Sequence, residues 1–259
     1  MLLLLDIGNT HTHGGLADAR GRLRRFELPT AAWADGRAFA ALRRAVGRTP
    51  VTAAAICSVV PTATHRATSA VRRHWRVEPF LLTHRTVRGV GIDYPRPATI
   101  GPDRLANAVA ARHRFGAPVI VIDFGTAVTF DVVNGRGDYI GGIIAPGLSA
   151  LTDYLHEKTA LLPRIRIRDT RAVIGRNTRE AMLVGAVHGY RGMIRELLGE
   201  LRRALGAASL PVVATGGYAD LLARQLPEIV AVVPGLTLEG LRRVWLAHRV
   251  APAPAAARP

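Results

Sequence analysis

Three aspartates stand where residue type and spacing could do chemistry. Asp6 closes the apolar run LLLLD and is followed by Ile7, Gly8, Asn9 and Thr10. Asp123 closes VIVID and is followed by Phe124, Gly125 and Thr126. Asp103 sits between Pro102 and Arg104 in the stretch TIGPDRLANAV. A carboxylate at a strand tip can bind a cation, act as a base or begin a turn. A glycine beside it lets a phosphate approach backbone N–H groups, because no Cβ intrudes. Asn9, Thr10 and Thr126 add side-chain donors. Carboxylates next to phosphates repel them unless a cation intervenes, so Asp6 and Asp123 read as hard oxygen ligands for Mg²⁺ or a monovalent ion. Asp103 and Arg104 have two readings. An acid in the first helical turn is ordinary capping. The same pair could take a proton from a hydroxyl and grip a carboxylate in bidentate fashion. Two further glycine-rich turns, Gly141–Gly147 and Ala214–Tyr218, follow strands. The second suits close approach of a base or ribose.

The elements that must position these residues come in two copies. At an offset of 117 residues Asp6 aligns with Asp123, Gly8 with Gly125 and Asn9 with Thr126. Each copy continues as strand, turn, strand, with turns at 18–21 and 134–137. In the first half the pattern gives a helix near 34–46, strand VTAAAICSVV, a helix near 61–74, strand VEPFLL and a helix from about Asp103 to His113. Residues 115–118 read as the junction. The second half gives a helix from near Gly147, a longer helix over about 178–205, strand PVVAT, a helix after Gly217 and a last helix near 237–248. The expectation is an α/β protein of two related domains, 1–116 and 117–250, facing a cleft, with a disordered tail at 251–259.

Composition excludes several classes. The 259 residues carry 35 basic against 19 acidic groups. A single lysine, Lys158, accounts for almost none of the positive charge. A Walker A loop needs Gly-Lys-Ser/Thr and a protein kinase needs its strand lysine, and neither is present. The arginines are scattered and aromatics make up 5% of the chain, so a nucleic-acid partner is not expected. Cys57, the one cysteine, allows no internal disulfide and reads as a buried inert thiol. No run is long enough to cross a membrane, and the N-terminal apolar run is too short for a signal peptide, so a soluble cytoplasmic protein is expected. His11-Thr12-His13 has the spacing of a metal-hydrolase ligand pair. It lacks companion ligands at other strand ends, and hairpin histidines at a cleft mouth explain it as well.

Taken together these motifs resemble the type III pantothenate kinases of the acetate and sugar kinase/Hsp70/actin superfamily. The stretches that carry the resemblance are DIGNT (6–10), CSVVP (57–61), GPDR (101–104), DFGTAVTFD (123–131), GGIIAPG (141–147), IGRNTREAMLVG (174–185), ATGGYADLL (214–222) and PGLTLEGL (234–241). They keep the family's order and span almost the whole chain. The resemblance implies two duplicated ribonuclease H-like (actin-like ATPase) domains and transfer of a phosphoryl group from ATP to the primary hydroxyl of pantothenate, the first step of coenzyme A synthesis. By the same resemblance Asp103 is the proton acceptor. Asp6, Ile7, Gly8, Asn9, Thr10, His11, Thr12 and His13 form the first phosphate hairpin, and Thr126 belongs to the second. Tyr94, Gly101, Pro102, Arg104 and Thr178 bind pantothenate. Asp123 ligates a monovalent cation, K⁺ or NH₄⁺, beside ATP with Mg²⁺. A homodimer with the substrate site near the subunit interface is implied too. His11, His13 and Pro102 depart from the usual pattern without removing a functional side chain. Another kinase of the superfamily, a polyphosphate phosphatase or a kinase-like regulatory accessory protein are the competing readings.

Overall fold

The computed structural model describes residues 1–207 and 209–249; the tail expected to be disordered lies outside the described residues. The chain divides into two units. The first holds Met1–Arg114 with the last helix, and the second holds Phe115–Gly235.

In the first unit the strands are β1 (Leu2–Ile7), β2 (His11–Ala17), β3 (Leu23–Pro29), β4 (Ala53–Ser58), β5 (Phe80–Leu81) and β6 (Gly91–Ile92). Its helices are α1 (Arg37–Val46), α2 (Pro61–Trp75) and α3 (Pro102–Phe115). The main sheet runs β3-β2-β1-β4-β5. β1 is central, antiparallel to β2 and parallel to β4. Every residue of β1 is buried, which is why the strand reads as an unbroken apolar run up to Asp6. Leu3, Leu5, Ile7, Ile56, Leu42, Ala67 and Val71 form the core beneath α1 and α2. Pro61 opens α2, where a missing N–H costs nothing. The strand expected over VEPFLL is reduced to Phe80–Leu81. Pro79 has no N–H to give a ladder, and Glu78 turns out to Arg72 at 2.6 Å.

The second unit repeats the plan. Its elements are β7 (Val119–Phe124), β8 (Ala127–Val133), β9 (Asp138–Pro146), α4 (Leu148–Lys158), α5 (Thr178–Ala204), β10 (Val212–Thr215), α6 (Ala219–Ala223) and β11 (Ile229–Val232). This unit's own five strands follow the order β9-β8-β7-β10-β11, which matches that of the first unit's main sheet. β7 is antiparallel to β8 and parallel to β10. Ile120, Ile122, Phe130, Tyr190, Ile194 and Val212 share its core. The duplicated ribonuclease H-like fold is therefore present in both halves.

The last helix, α7 (Leu236–Arg249), differs from expectation. It does not close the second half but packs on β1, β2 and β4 of the first unit. The reason lies in its contact with α3. A Cβ at Gly240 would strike the carbonyl oxygen of Ala106, so only glycine allows this approach. Thr237 Oγ1 donates to Asn107 Oδ1 at 2.9 Å in the same buried seam.

Candidate active site

Asp6, the last residue but one of β1, is in register with His13 on β2 and Cys57 on β4. The buried Cys57 Sγ–H donates to Asp6 Oδ1 at 3.2 Å. Burial pushes the Cys57 thiol well up, and the nearby charges of Asp6 and Asp103 push it further. The thiol stays protonated and acts as a fixed donor. It also marks Asp6 and Asp103 as two carboxylates bearing on one buried point.

Asp103 is placed by the start of α3. Pro102 takes the first helical position, where its ring fits and its lost N–H is not missed. The carbonyl of Gly101 accepts from Arg104 N at 3.1 Å and Leu105 N at 3.3 Å. The Asp103 carboxylate folds back over Gly101, and a Cβ at that glycine would collide with Oδ1. Arg104 N donates to Asp103 Oδ1 at 2.9 Å. Burial raises the Asp103 pKa, while the Arg104 N–H and charge pull the other way. The net result is a carboxylate with more affinity for a proton than an ordinary aspartate. That is the property a base for a hydroxyl needs. Tyr94 is half-buried in the coil before α3.

The first hairpin is tight. Gly8 N donates to His11 O at 3.0 Å, and Thr30 N donates to Thr10 O at 2.9 Å. Asn9, Thr10 and His11 are exposed. Ile7 and Thr12 face the core; Thr12 Oγ1 accepts from Trp33 Nε1 at 3.0 Å and bonds Thr30 Oγ1 at 2.9 Å. Any part these two take in phosphate binding goes through their backbone. His11 and His13 share one face of β2 and both meet Glu27, at 3.6 Å and 3.3 Å. Burial lowers the His13 pKa, Glu27 opposes it and His11 adds to it, so the ring is neutral near pH 7. Among the described residues no group of three or more His, Cys, Asp and Glu could hold a metal ion, so the His-x-His pair gains no companions.

In the second unit Asp123 is in register with Thr129 on β8 and Thr215 on β10. Gly125 N donates to Ala127 O at 3.2 Å. The first hairpin spends three residues on its turn and the second only two, Gly125 and Thr126. Asp123 is therefore opposed one residue earlier than Asp6, and the alignment of Asn9 with Thr126 slips after the turn. Gly147 N donates to Thr126 O at 3.1 Å, and a Cβ at Gly147 would strike the carbonyls of Gly125 and Thr126. Gly216 has φ +93°, and a Cβ there would stand 2.6 Å from Asp123 Oδ1 and from Phe124 N. The backbone of the Gly-Gly turn is thus pressed against the Asp123 carboxylate. Thr126 is exposed. Thr178 is the exposed first residue of α5, capped by Asn177, whose Oδ1 accepts from Glu180 N at 3.0 Å.

Sequence reasoning missed two buried groups. Cys57 is a hydrogen-bond donor to Asp6 as well as a buried thiol. Asp131 is fully buried on β8, where it accepts from Thr129 Oγ1 and Tyr139 OH, each at 3.4 Å. The visible signal was a carboxylate inside AVTFDVV, at a position where the strand is otherwise apolar.

The sequence matches the type III pantothenate kinase family over residues 2–200. A type III pantothenate kinase of Akkermansia muciniphila is 45% identical over 242 residues, covering 93% of this chain and 96% of its own. One from Streptomyces avermitilis is 38% identical over 258 residues, covering 95% and 97%. The solved structure of a Baf family protein from Campylobacter jejuni superposes with a TM-score of 0.61 at 17% identity, covering 95% of this chain and 98% of that one. At that identity the likeness speaks for the fold alone.

Proposed function

The chain belongs to the type III pantothenate kinase family, and from that premise we infer which of its residues carry the reaction. The activity is ATP-dependent phosphorylation of pantothenate to 4'-phosphopantothenate, which supplies coenzyme A synthesis. ATP and a divalent metal are the family's cofactors.

Phosphoryl transfer through a loose transition state asks mainly for alignment and charge neutralisation. In our reading Asp103 is the base. The pantothenate hydroxyl oxygen bonds to the γ-phosphorus as its proton passes to Asp103, and the bond from phosphorus to the β,γ-bridging oxygen breaks to release ADP. The observation that carries the assignment is the half-buried Asp103 carboxylate, seated over Gly101, with desolvation raising its pKa. Arg104, beside it, offers a guanidinium for the pantothenate carboxylate. Tyr94, Gly101, Pro102 and Thr178 complete the pantothenate contacts by family likeness.

Asp6 is the carboxylate we assign to Mg²⁺, an ion that keeps most of its waters and takes one or two carboxylates with phosphate oxygens. Asp123 is assigned to K⁺ or NH₄⁺, since the Gly216 backbone comes close enough to its Oδ1 that a Cβ would fill the space. When bound, these cations would offset phosphate charge in a chain that has a single lysine, Lys158. The backbone of Asp6–His13, with Asn9, Thr10 and Thr126 as donors, serves the phosphates of ATP.

A homodimer is part of the proposal. Leu161, Val173 and Ile174, in the coil between α4 and α5, are 79–90% exposed, and the last two stand just before Thr178. Such apolar side chains next to a proposed substrate contact suit a subunit interface. A cytoplasmic location accords with a structure in which no described helix is long and apolar enough to cross a membrane.

The test is phosphorylation by purified protein of pantothenate against acetate and small sugars. Phosphate transfer to pantothenate alone is expected. Preference for a sugar or acetate would place the chain with another acceptor of the superfamily.

A further inference from the structure

A second basic site lies in the first unit, at the C-terminal ends of α3 and α7. A cavity of about 500 Å³ is lined by Arg88, Arg112, His113 and Arg243, with Val109 and Leu246 among its apolar walls. Among the described residues no acidic side chain lines it. The volume is in the range that holds a small organic ligand.

Ordinary helix electrostatics account for some of this charge. Basic residues in a last turn favourably meet the negative end of the helix dipole. They do not explain why three arginines from three separate elements turn towards one cavity with apolar walls, nor why each is held in place. Arg112 Nη1 donates to the carbonyl of Gly89 at 2.6 Å, and Arg88 Nη1 to that of Val87 at 3.1 Å. Both bonds go to neutral acceptors, and among the described residues neither guanidinium has an ion-pair partner. Arg243 is held at 3.0 Å by Glu239, but Glu239 is shared with Arg114 at 2.9 Å, so one carboxylate faces two cations.

The walls are fixed as well. Gly240 lies against the Ala106 backbone, and Thr237 bonds Asn107, which locks α7 onto α3. The loop carrying Arg88 and Gly89 is tied down by Val87 N to Thr83 O at 2.9 Å, and His248 Nε2 meets Thr86 O at 2.5 Å. A cationic rim that is already ordered binds an anion without first losing much side-chain entropy.

We propose that this cavity is a binding site for a phosphorylated organic anion of about mononucleotide size, separate from the phosphate hairpins at Asp6 and Asp123. The guanidinium groups of Arg88, Arg112 and Arg243 take the phosphate, and the Val109–Leu246 wall takes the apolar face of the ligand body. The cavity sits at the opposite end of α3 from Asp103, about 14 Å along the helix axis.

The test is isothermal titration calorimetry on the full chain with the catalytic site saturated by Mg²⁺ and a non-hydrolysable ATP analogue. Three probes separate the contributions: adenosine 5'-monophosphate, adenosine, and inorganic tripolyphosphate. Adenosine monophosphate is expected to bind with one equivalent per chain. Adenosine should give no heat, and tripolyphosphate should bind more weakly than the nucleotide. Arg88→Ala and Arg243→Gln should each weaken the nucleotide by roughly tenfold, the scale of one charge-assisted hydrogen bond, with turnover of pantothenate unchanged. Arg88 is exposed, so its truncation does not threaten the fold. The proposal is overturned if adenosine monophosphate gives no second event, or binds both variants as tightly as the wild type. It is also overturned if tripolyphosphate matches the nucleotide, which would mean a plain charge patch, or if only a DNA duplex loses affinity in the variants, which would mean a nucleic-acid surface.

Discussion

Asp103 is held where its charged form is disfavoured, and the cost has a definite pH signature. Its folded-state pKa is raised by burial. Below the unfolded aspartate value of about 3.9 both states carry the proton and the group contributes nothing to the pH dependence. As pH rises from there through the raised folded value, the unfolded chain ionises first and stability is lost. Free Asp103→Asn protein should therefore be more stable than wild type at pH 7, with the difference shrinking as pH falls towards about 3. Urea midpoints for both proteins across that range measure it; a less stable variant at pH 7 would deny the desolvation. Gly216 makes the matching case in the second unit. Gly216→Ala puts a methyl 2.6 Å from Asp123 Oδ1, too close for an ordinary contact, and imposes φ +93° on a residue with a Cβ. Activity in the variant should need at least about tenfold more K⁺ for half-saturation, on the scale of losing one good charged contact, and a K⁺ titration reads it directly. Asp6, Asp103 and Asp123 were legible because apolar strands and a Gly-Pro turn flag them. The Cys57 donor was not, since a buried thiol and a thiol facing a carboxylate on the next strand share one sequence signature.

The strand–turn–strand copies were legible because each central strand is buried on both faces and must read as apolar up to its terminal aspartate. The one-residue difference between the two turns was not. Offset alignment matches residues along the chain, whereas register depends on which carbonyl closes the turn, His11 O in one and Ala127 O in the other. Helix α7 shows the same limit at larger distance. Its periodicity gives a helix near 237–248 but not the sheet it covers, which is decided by the close approach of Gly240 to Ala106. Gly240→Ala tests that contact. Alanine favours a helix by up to about 1 kcal/mol over glycine. Forcing a methyl into a packed seam costs about 1–3 kcal/mol. The collision here is with backbone, which cannot rotate away, so the cost should win. A net loss of roughly 1–2 kcal/mol is expected by denaturant unfolding, and a stabilised variant would show that the helices separate easily.

Across the whole molecule, the +16 formal charge is carried almost wholly by arginine. The sequence alone gave it no role, because scattered arginines have no linear pattern. The fold gathers three of them at one cavity, which only tertiary structure could disclose. The duplicated sheets fit the family matched over residues 2–200, and our proposal assigns the three carboxylates to that family's activity. The proposed mechanism depends most on Asp103 being the base. The most direct measurement is steady-state turnover of pantothenate by Asp103→Asn beside wild type, with ATP affinity determined separately. Wild type should form 4'-phosphopantothenate, and the variant should lose about 10²–10⁴-fold in kcat while binding ATP as before. Turnover in the variant within about threefold of wild type, far short of a general base's usual share, would contradict the role of Asp103.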